Sequence, residues 1–185
     1  MAVMRPLCLS FKALPPEGVR ADLQARLAPF GWDALRPHVF DVRRWHQSLS
    51  TPVAVYPGLR ERMLRAGDRI DAVAFALVFD RLSGAAAREG EIHWTLRARR
   101  TPGEFDSLVN EVRHQLQREG VNEPHGHTAH ITISYQAPHA LATRPITPVA
   151  WPIDEILLVE AGGQHPGYET LARWPLRPRP QGELW

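Results

Sequence analysis

A long amphipathic helix next to an alternating strand is the sequence feature that most restricts how this chain can fold. Apolar residues recur at helical spacing over 102–119 and predict one buried face, formed by Phe105, Leu108, Val109, Val112 and Leu116. Thr101 and Glu104 predict a capping box at its start, and Gly120 predicts its end. Alternation of apolar and polar residues over 91–99 predicts a half-buried strand just before it.

Strands and helices alternate along the remainder of the chain. Alternating apolar residues predict a strand over 4–13, and the prolines at 15–16 separate it from a helix over 17–28. A short second helix is predicted to open at 57–58. Further strands are predicted at 43–50, 72–79, 128–135, 153–161 and 168–176. The order predicts an α+β protein of two similar halves, each mixing antiparallel strands with helices.

Length and composition predict a globular chain without a membrane span. Its 185 residues suit one domain, and a hydrophobic content of 44% is enough for a real core. No apolar run approaches the roughly 18 residues that a membrane helix needs, and the first residues lack a secretory signal. Cys8 is the single cysteine, so no disulfide can form within the chain. These features predict a cytoplasmic protein.

Arginine dominates the basic residues of the sequence. Lysine and arginine together number 22, and Lys12 is the sole lysine, while the net charge is only +2. A planar guanidinium matches the shape of a phosphate group, although GC-rich codons also favour arginine over lysine. This charge balance permits a nucleic-acid partner without requiring one.

Two short motifs carry the chemistry that the sequence suggests. His46 to Leu49 and His130 to Ile133 both read H-x-[S/T]-apolar, and both lie in predicted strands. Side chains two residues apart on a strand point to the same face, so each motif presents an imidazole together with the hydroxyl of Ser48 or Thr132. Two such strands facing one another form a cleft with two imidazoles and two hydroxyls.

That set of groups suits the cleavage of a phosphodiester. An imidazole titrates near neutral pH, so one histidine can activate water while the other protonates the leaving oxygen. Hydroxyl groups can hold the non-bridging oxygens and stabilise the developing charge. A proton transfer of this kind requires no metal.

The pattern also occurs a third time, at His93 to Leu96. With 9 histidines in 185 residues, chance accounts for about 0.7 such matches. The third match is either a true partner of one of the other two histidines or an accident. A single match can also be a surface histidine beside a hydroxyl on a strand.

Further candidates surround the second motif. His125, His127 and His130 form H-x-H-x-x-H, which can hold Zn²⁺, although no cysteine or obvious carboxylate completes the set. His125 and His127 can instead contact a substrate phosphate.

Aromatic and basic residues near the motifs have two interpretations each. Tyr135 and Trp45 can stack on a base or pack in the core, and their phase on regular strands favours packing. The arginines at 97, 99 and 100 guide RNA or form a solvated strand end, and the second interpretation is favoured.

Taken together, these motifs resemble the two-histidine (2H) phosphoesterase superfamily, in the branch called bacterial 2'-5' RNA ligase or RNA 2',3'-cyclic phosphodiesterase. Residues 7–17 are similar to its first strand, double-proline turn and helix, and 168–176 to its closing strand. The separation of the motifs, 130 − 46 = 84, is of the family's kind. The likeness spans about 4–176 and makes His130, after the long helix, the second motif, which leaves His93 in a middle strand.

The resemblance implies a fold, a site and a class of substrate. The fold is two lobes, each an antiparallel sheet with helices, related by a pseudo-twofold around a central cleft. His46 and His130 are the implied acid–base pair, and Ser48 and Thr132 bind phosphate. No metal or other cofactor is needed. The implied partners are RNA ends or small nucleotides with a cyclic or 2'-5' phosphodiester. We expect a monomer, with one bilobal domain over 1–176 and a proline-rich tail over 177–185.

Some residues depart from the family pattern and keep alternatives open. Gln47 takes a place that is usually apolar, Ser48 replaces the commoner threonine, and Ser134–Tyr135 follow where a basic residue is frequent. One alternative is a module of the same fold that binds RNA or nucleotide without catalysis. Another is a metal-dependent hydrolase that uses the histidine cluster.

Overall fold

The computed structural model describes residues 5–31, 35–86, 91–124, 126–163 and 165–179. These residues form two antiparallel sheets with helices packed on them, so the predicted α+β class is confirmed. No helix within the described ranges is long and apolar enough to cross a membrane.

The first sheet is built from both ends of the chain. Its strands are β1 (Arg5–Ala13), β2 (Gln47–Ser48), β3 (Val53–Ala54), β8 (Glu155–Gly163) and β9 (His165–Pro175). The order is β2-β1-β8-β9, and β3 also pairs with β1. The short β2 therefore lies at one edge of this sheet, next to the end of β1.

The second sheet is built from the middle of the chain. Its strands are β4 (Phe75–Ala86), β5 (Ile92–Ala98), β6 (His130–Ser134) and β7 (Leu141–Ile153), in the order β6-β5-β4-β7. The two sheets are thus not the first and second halves of the sequence, because the middle segment forms one sheet and the flanking segments form the other. The strand that carries the second motif, β6, is an edge strand.

The helices are α1 (Glu17–Leu27), α2 (Leu59–Gly67) and α3 (Gly103–Arg118). The predicted apolar face of α3 is confirmed, since all five of its residues are buried. Gly120 ends the helix as predicted, with φ at +72°. The predicted capping box is wrong: Pro102, extended at ψ 148°, is the N-cap, which leaves Thr101 outside the first turn.

One strand prediction fails and one strand was not predicted, each for an identifiable reason. The predicted strand over 43–50 shrinks to β2, because Asp41 accepts a hydrogen bond from the backbone N–H of Arg43 and starts a tight turn over Val42–Arg44. The 13-residue β7 was not predicted, since prolines interrupt it. Its prolines are tolerated because β7 is an edge strand that pairs only with β4.

The start of the predicted C-terminal tail is joined to the body. The backbone N–H of Arg177 donates to Ala72 O at 2.8 Å, and Ala74 N–H donates to Arg177 O at the same distance. Arg179 forms an ion pair with Glu104 at 3.0 Å. Residues 177–179 therefore continue the packed structure beyond the predicted boundary at 176.

Candidate active site

His46 stands immediately before β2, at the edge of the first sheet. Its ring Nδ1 lies 2.8 Å from the backbone carbonyl oxygen of Arg44. A carbonyl oxygen can only accept, so Nδ1 carries the proton of the neutral ring and Nε2 carries the lone pair. The hydroxyl of Tyr168 lies 3.1 Å from Nδ1, and the two rings meet edge to face.

His130 opens β6, at the edge of the second sheet, and repeats this arrangement. Its Nδ1 lies 2.9 Å from the backbone carbonyl oxygen of Thr128, which is again two residues earlier in the chain. The hydroxyl of Thr128 lies 3.2 Å from the same nitrogen. The neutral ring therefore also leaves its Nε2 unprotonated, and the two histidines present the same nitrogen for chemistry.

Gln47 joins the two motifs across the sheets. Its side chain is fully buried. Its Oε1 accepts from the backbone N–H of His130 at 2.8 Å, and its Nε2 donates to Thr128 O at 3.0 Å and to Ser48 O at 2.9 Å. Gln47, at a position expected to be apolar, thus links the edge strands β2 and β6 directly.

Lys12, near the end of β1, occupies the other side of His46. Its Nζ lies 3.0 Å from Nε2 of His46 and 4.1 Å from the centroid of the Tyr168 ring. Lys12 is only 6% exposed and is the register partner of Ser48 on β2. Burial lowers the pKa of Lys12 to about 7, and the charge of Arg44 contributes to the same shift.

The protonation of His46 is governed by its surroundings. Burial lowers its pKa to about 3, the charge of Lys12 lowers it next, and the hydrogen bond to Arg44 O acts in the opposite direction. The charge of His130 contributes a further lowering. His46 is therefore neutral at physiological pH, and the two histidines are close enough to interact electrostatically.

The second half-site has its own cation. Arg97 on β5 is the register partner of His130, and Thr95 is that of Thr132. Burial lowers the pKa of His130, the hydrogen bond to Thr128 O raises it, and the charge of Arg97 lowers it. Arg97 is exposed, as expected of a solvated strand end, yet its charge acts on His130 across the strand pairing.

The two candidate hydroxyl residues, Thr132 and Ser48, are both half-buried. Along β6, His130 and Thr132 are half-buried while Ile131 and Ile133 are fully buried, so His130 and Thr132 share a face as predicted. Ser48 is half-buried on β2, one residue past Gln47. His46 itself lies outside the strand in which it was predicted.

A pocket of about 590 Å³ opens beside the first half-site. It is lined by Val39, Phe40, Arg43, Arg44, Tyr168 and neighbouring residues. The guanidinium of Arg44 lies over both Phe40 (5.5 Å) and Tyr168 (5.8 Å). Aromatic faces and a cation at one wall are groups on which a nucleobase can stack.

Glu123 ties the segment before β6 to the segment after β2. It is 1% exposed and accepts from the backbone N–H and the hydroxyl of Thr51, at 2.7 and 2.8 Å. His127 Nε2 lies 3.4 Å from the same carboxylate. Burial raises the pKa of Glu123, but the hydrogen bonds from His127 and Thr51 outweigh it, so the net shift is downward. His127 thus has a carboxylate partner.

The metal hypothesis is not tested by this geometry. His125 lies outside the described residues, so the predicted trio of His125, His127 and His130 cannot be placed as a set. Among the residues that are described, no group of three or more possible ligands is arranged to hold a metal ion.

The remaining candidates separate into core and surface. Trp45 is fully buried, which confirms core packing. Tyr135 is 48% exposed, so core packing is wrong for it: β6 ends at Ser134, and the ring contacts Phe40 and His93 at the surface. His93 lies on β5, in the middle of the second sheet, as the resemblance implied.

Sequence reasoning missed the importance of three residues at the site. Tyr168 is 122 residues from His46 along the chain, and Arg97 is brought to His130 only by strand pairing. Lys12 had one detectable signal, since it is the sole lysine of the chain and lies between apolar residues in a predicted strand.

Solved structures resemble this chain over nearly its whole length. E. coli LigT in apo form is 24% identical, with a TM-score of 0.75 over 94% of this chain and 99% of LigT. A crystal structure of a phosphoesterase is 23% identical, with a TM-score of 0.74 over 93% and 99% of the two chains. The protein TT0787 of Thermus thermophilus is 21% identical, with a TM-score of 0.68 over 92% and 98%.

These likenesses establish the architecture. No protein-family model matches the sequence, and no curated protein matches it either. At 20–24% identity a structural match shows the fold and leaves substrate and mechanism open. The chain therefore has the fold of LigT, of this phosphoesterase and of TT0787, which confirms the predicted resemblance at the level of the fold.

Proposed function

We propose that this protein is a metal-independent phosphoesterase that acts on a phosphodiester of RNA or of a small nucleotide. Hydrolysis of a 2',3'-cyclic phosphate, or cleavage and joining of a 2'-5' linkage, is the reaction that fits best. The observation that carries the proposal is the matched pair of His46 and His130, each with Nδ1 at the carbonyl two residues earlier, which places the lone pair of both neutral rings on Nε2.

The proposed chemistry is the transfer of two protons. One Nε2 takes a proton from water as the water oxygen attacks phosphorus, and the other histidine, protonated, gives its proton to the leaving oxygen. We assign the base to His46, because the ammonium of Lys12, 3.0 Å from its Nε2, disfavours the protonated form of this ring. His130 is then the acid, and Ser48 and Thr132 donate hydrogen bonds to the non-bridging oxygens.

Known ligands of similar structures support a nucleotide substrate. E. coli LigT has been solved in complex with ATP, with 3'-AMP and with NADP+. In this chain, the pocket beside His46 is lined by the aromatic residues Phe40 and Tyr168, to which a base can bind. Tyr135 on the surface beyond β6, and His127 beside Glu123, are further proposed contacts.

The test is product analysis with nucleoside 2',3'-cyclic phosphates in EDTA, comparing wild type with His46→Ala and His130→Ala. We expect turnover by wild type and a loss of at least about 1,000-fold in each variant, since each removes one of the two proton carriers. His93→Ala is the matched control, because it removes a histidine from the third copy of the motif. Turnover that EDTA abolishes would instead support a metal held by the His125, His127 and His130 cluster.

One observation favours a second function on the same fold. The ammonium of Lys12 contacts Nε2 of His46, so that the lone pair of this nitrogen is engaged and not free to take a proton. A module that only binds nucleotides would keep this contact when nucleotide is bound. Nucleotide binding by calorimetry, with no turnover of cyclic phosphates or of 2'-5' linkages, would identify that function.

A further inference from the structure

The sole lysine of the chain lies inside the candidate site. Of the 22 basic residues, only Lys12 is a lysine, and it is 6% exposed. Its ammonium contacts Nε2 of His46 at 3.0 Å and the face of Tyr168 at 4.1 Å. Every other basic side chain in this count is an arginine. Lys12 therefore provides the one compact ammonium group, which lies on a flexible stem and whose pKa shifts readily on burial.

Among the described residues, no anion balances this buried charge. Within the described part of the chain, no aspartate or glutamate lies within ion-pair distance of Lys12, although other basic residues have such partners. Its charged neighbour is instead Arg44, whose Nε is buried without a hydrogen-bond acceptor among the described residues. Burying an ammonium group without an anion is costly, so this part of the site is suited to a negatively charged ligand.

The position of Lys12 identifies where such a ligand would bind. Lys12 and Ser48 are register partners on adjacent strands, so the ammonium and the hydroxyl belong to one small region of the sheet edge. An ammonium has three N–H donors, and the contact with His46 uses one of them. The others, together with Arg44, suit the oxygens of a phosphate.

We infer that Lys12 is a substrate-binding residue whose ammonium contacts a non-bridging oxygen of the phosphate on which His46 acts. The inference rests on the proposed function for its substrate, but the anion site itself does not require turnover. Binding of the phosphate draws the ammonium from Nε2 of His46, and this frees the lone pair that the base needs. The same residue therefore recognises the substrate and withholds the base in its absence.

A rival role for Lys12 is to position His46 without touching substrate. The variants Lys12→Met and Lys12→Gln separate the two roles. Methionine keeps most of the length of the side chain and removes the charge, while glutamine also keeps a donor for His46 Nε2. A positioning role predicts that glutamine rescues function, whereas a phosphate contact predicts that both variants lose it.

The first experiment is a titration with inorganic phosphate, followed by NMR of protein labelled with ¹³C-lysine. Because the chain has one lysine, the spectrum contains a single side-chain signal that reports Lys12 directly. We expect this signal to shift on phosphate binding. Calorimetry should show at least a tenfold weaker affinity in Lys12→Met and Lys12→Gln, and an affinity within twofold of wild type in Arg118→Met, an exposed control at the end of α3.

Folding is checked separately by thermal unfolding. Removing an unbalanced buried charge should leave the melting temperature of Lys12→Met equal to or above that of wild type. If Lys12→Met melts lower, the Lys12→Gln titration and the wild-type NMR signal still decide the inference. A lysine signal that does not move at saturating phosphate, unchanged affinity in both variants, or no phosphate binding at all would overturn it.

The outcome is distinguishable from that of the proposed function. Phosphate binding that depends on Lys12, without turnover of any phosphodiester, would support the anion site and contradict the proposed phosphoesterase activity. Turnover that depends on both histidines but not on Lys12 would support the proposed phosphoesterase activity and contradict the phosphate-binding role of Lys12. If both hold, kcat/KM for a cyclic phosphate should fall at least tenfold in Lys12→Gln.

Discussion

The two histidine half-sites follow one plan but differ in what surrounds them. In both, Nδ1 faces the carbonyl oxygen two residues earlier, at 2.8 Å for His46 and 2.9 Å for His130. His46 stands beside a two-residue strand and has an ammonium 3.0 Å from its Nε2. His130 opens a five-residue strand, and its neighbouring cation, Arg97, lies across a strand pairing.

The comparison separates two properties that an active site must control. The shared backbone contact decides which nitrogen of each ring acts, and this is set by local chain geometry. The surroundings decide how readily each ring takes a proton, and these come from distant parts of the chain. A pair of equal motifs can therefore perform unequal tasks, which is what an acid and a base require.

Outside the two histidines themselves, replacing Gln47 by leucine should have the largest effect, because it removes the hydrogen bonds that link the half-sites. The change leaves the backbone N–H of His130 and the carbonyl of Thr128 each without one partner. We expect kcat/KM to fall about 100-fold, since small displacements of a catalytic group cost this much. The free energy of unfolding should fall by about 1–3 kcal/mol per unsatisfied buried group.

The matched control for this prediction is Gln115→Leu. Gln115 is also buried, at 5% exposure, but it lies on α3 and bonds within its own helix to Glu111. Activity should stay within about twofold of wild type in this variant. Equal losses in the two variants would show that Gln47 acts only through general stability.

Acid should destabilise the protein more through His46 than through His130. Between about pH 6.5 and pH 3 the unfolded chain binds a proton at His46 that the folded chain does not, because burial lowers the folded pKa to about 3. The free energy of unfolding then falls as the pH falls, by up to about 1.4 kcal/mol per pH unit. Urea unfolding of wild type and His46→Phe at several pH values measures this slope.

The comparison variant is His130→Phe. We expect it to flatten the dependence of the free energy of unfolding on pH less than His46→Phe does. Stability is lost as the pH falls through the window above the folded pKa and is restored on return to neutral pH. An identical pH slope in wild type and His46→Phe would contradict the lowered pKa of His46.

A smaller effect is expected from Arg97→Gln, which acts on one half-site alone. The charge of Arg97 lowers the pKa of His130, so its removal should raise that pKa and leave the pKa of His46 unchanged. Histidine NMR titration measures both rings in one sample. Arg99→Gln, an exposed arginine two residues along the same segment, provides the control. A response shared by both rings would show that Arg97 does not discriminate between them.

The smallest effect is expected from His93→Ala. His93 belongs to the third copy of the motif, but its ring contacts Glu91 and Tyr135. Activity on a cyclic phosphate should therefore remain within about twofold of wild type. A loss of activity comparable with that of His130→Ala would assign His93 to the active site and contradict the pairing of His46 with His130 as the two proton carriers.

Local sequence patterns predicted the elements that depend on local periodicity. The apolar face of α3 and the alternation over residues 130–133 are confirmed, because the burial of these residues follows from their phase in their own helix or strand. The same reasoning missed β7, because its prolines are interpreted as breaks, and edge position alone makes them acceptable.

The parts of the site that were missed depend on contacts between distant residues. Lys12 and His46 are 34 residues apart, and Gln47 and His130 are 83 apart. No periodic pattern links such pairs, and Gln47 looked like a departure from an apolar position. In the structure, its amide satisfies backbone groups of the facing strand, which explains why a polar residue is buried there.

The contact between β2 and β6 through Gln47 also affects how the protein resists aggregation. Both are edge strands, and unpaired edges are templates on which another chain can add a strand. On β6, the N–H of His130 is taken by Gln47 and the carbonyl of Ile133 accepts from the N–H of Phe40 at 2.9 Å. The contacts that assemble the candidate site therefore also cap this edge against aggregation, so a change that opens the site exposes a surface on which chains can associate.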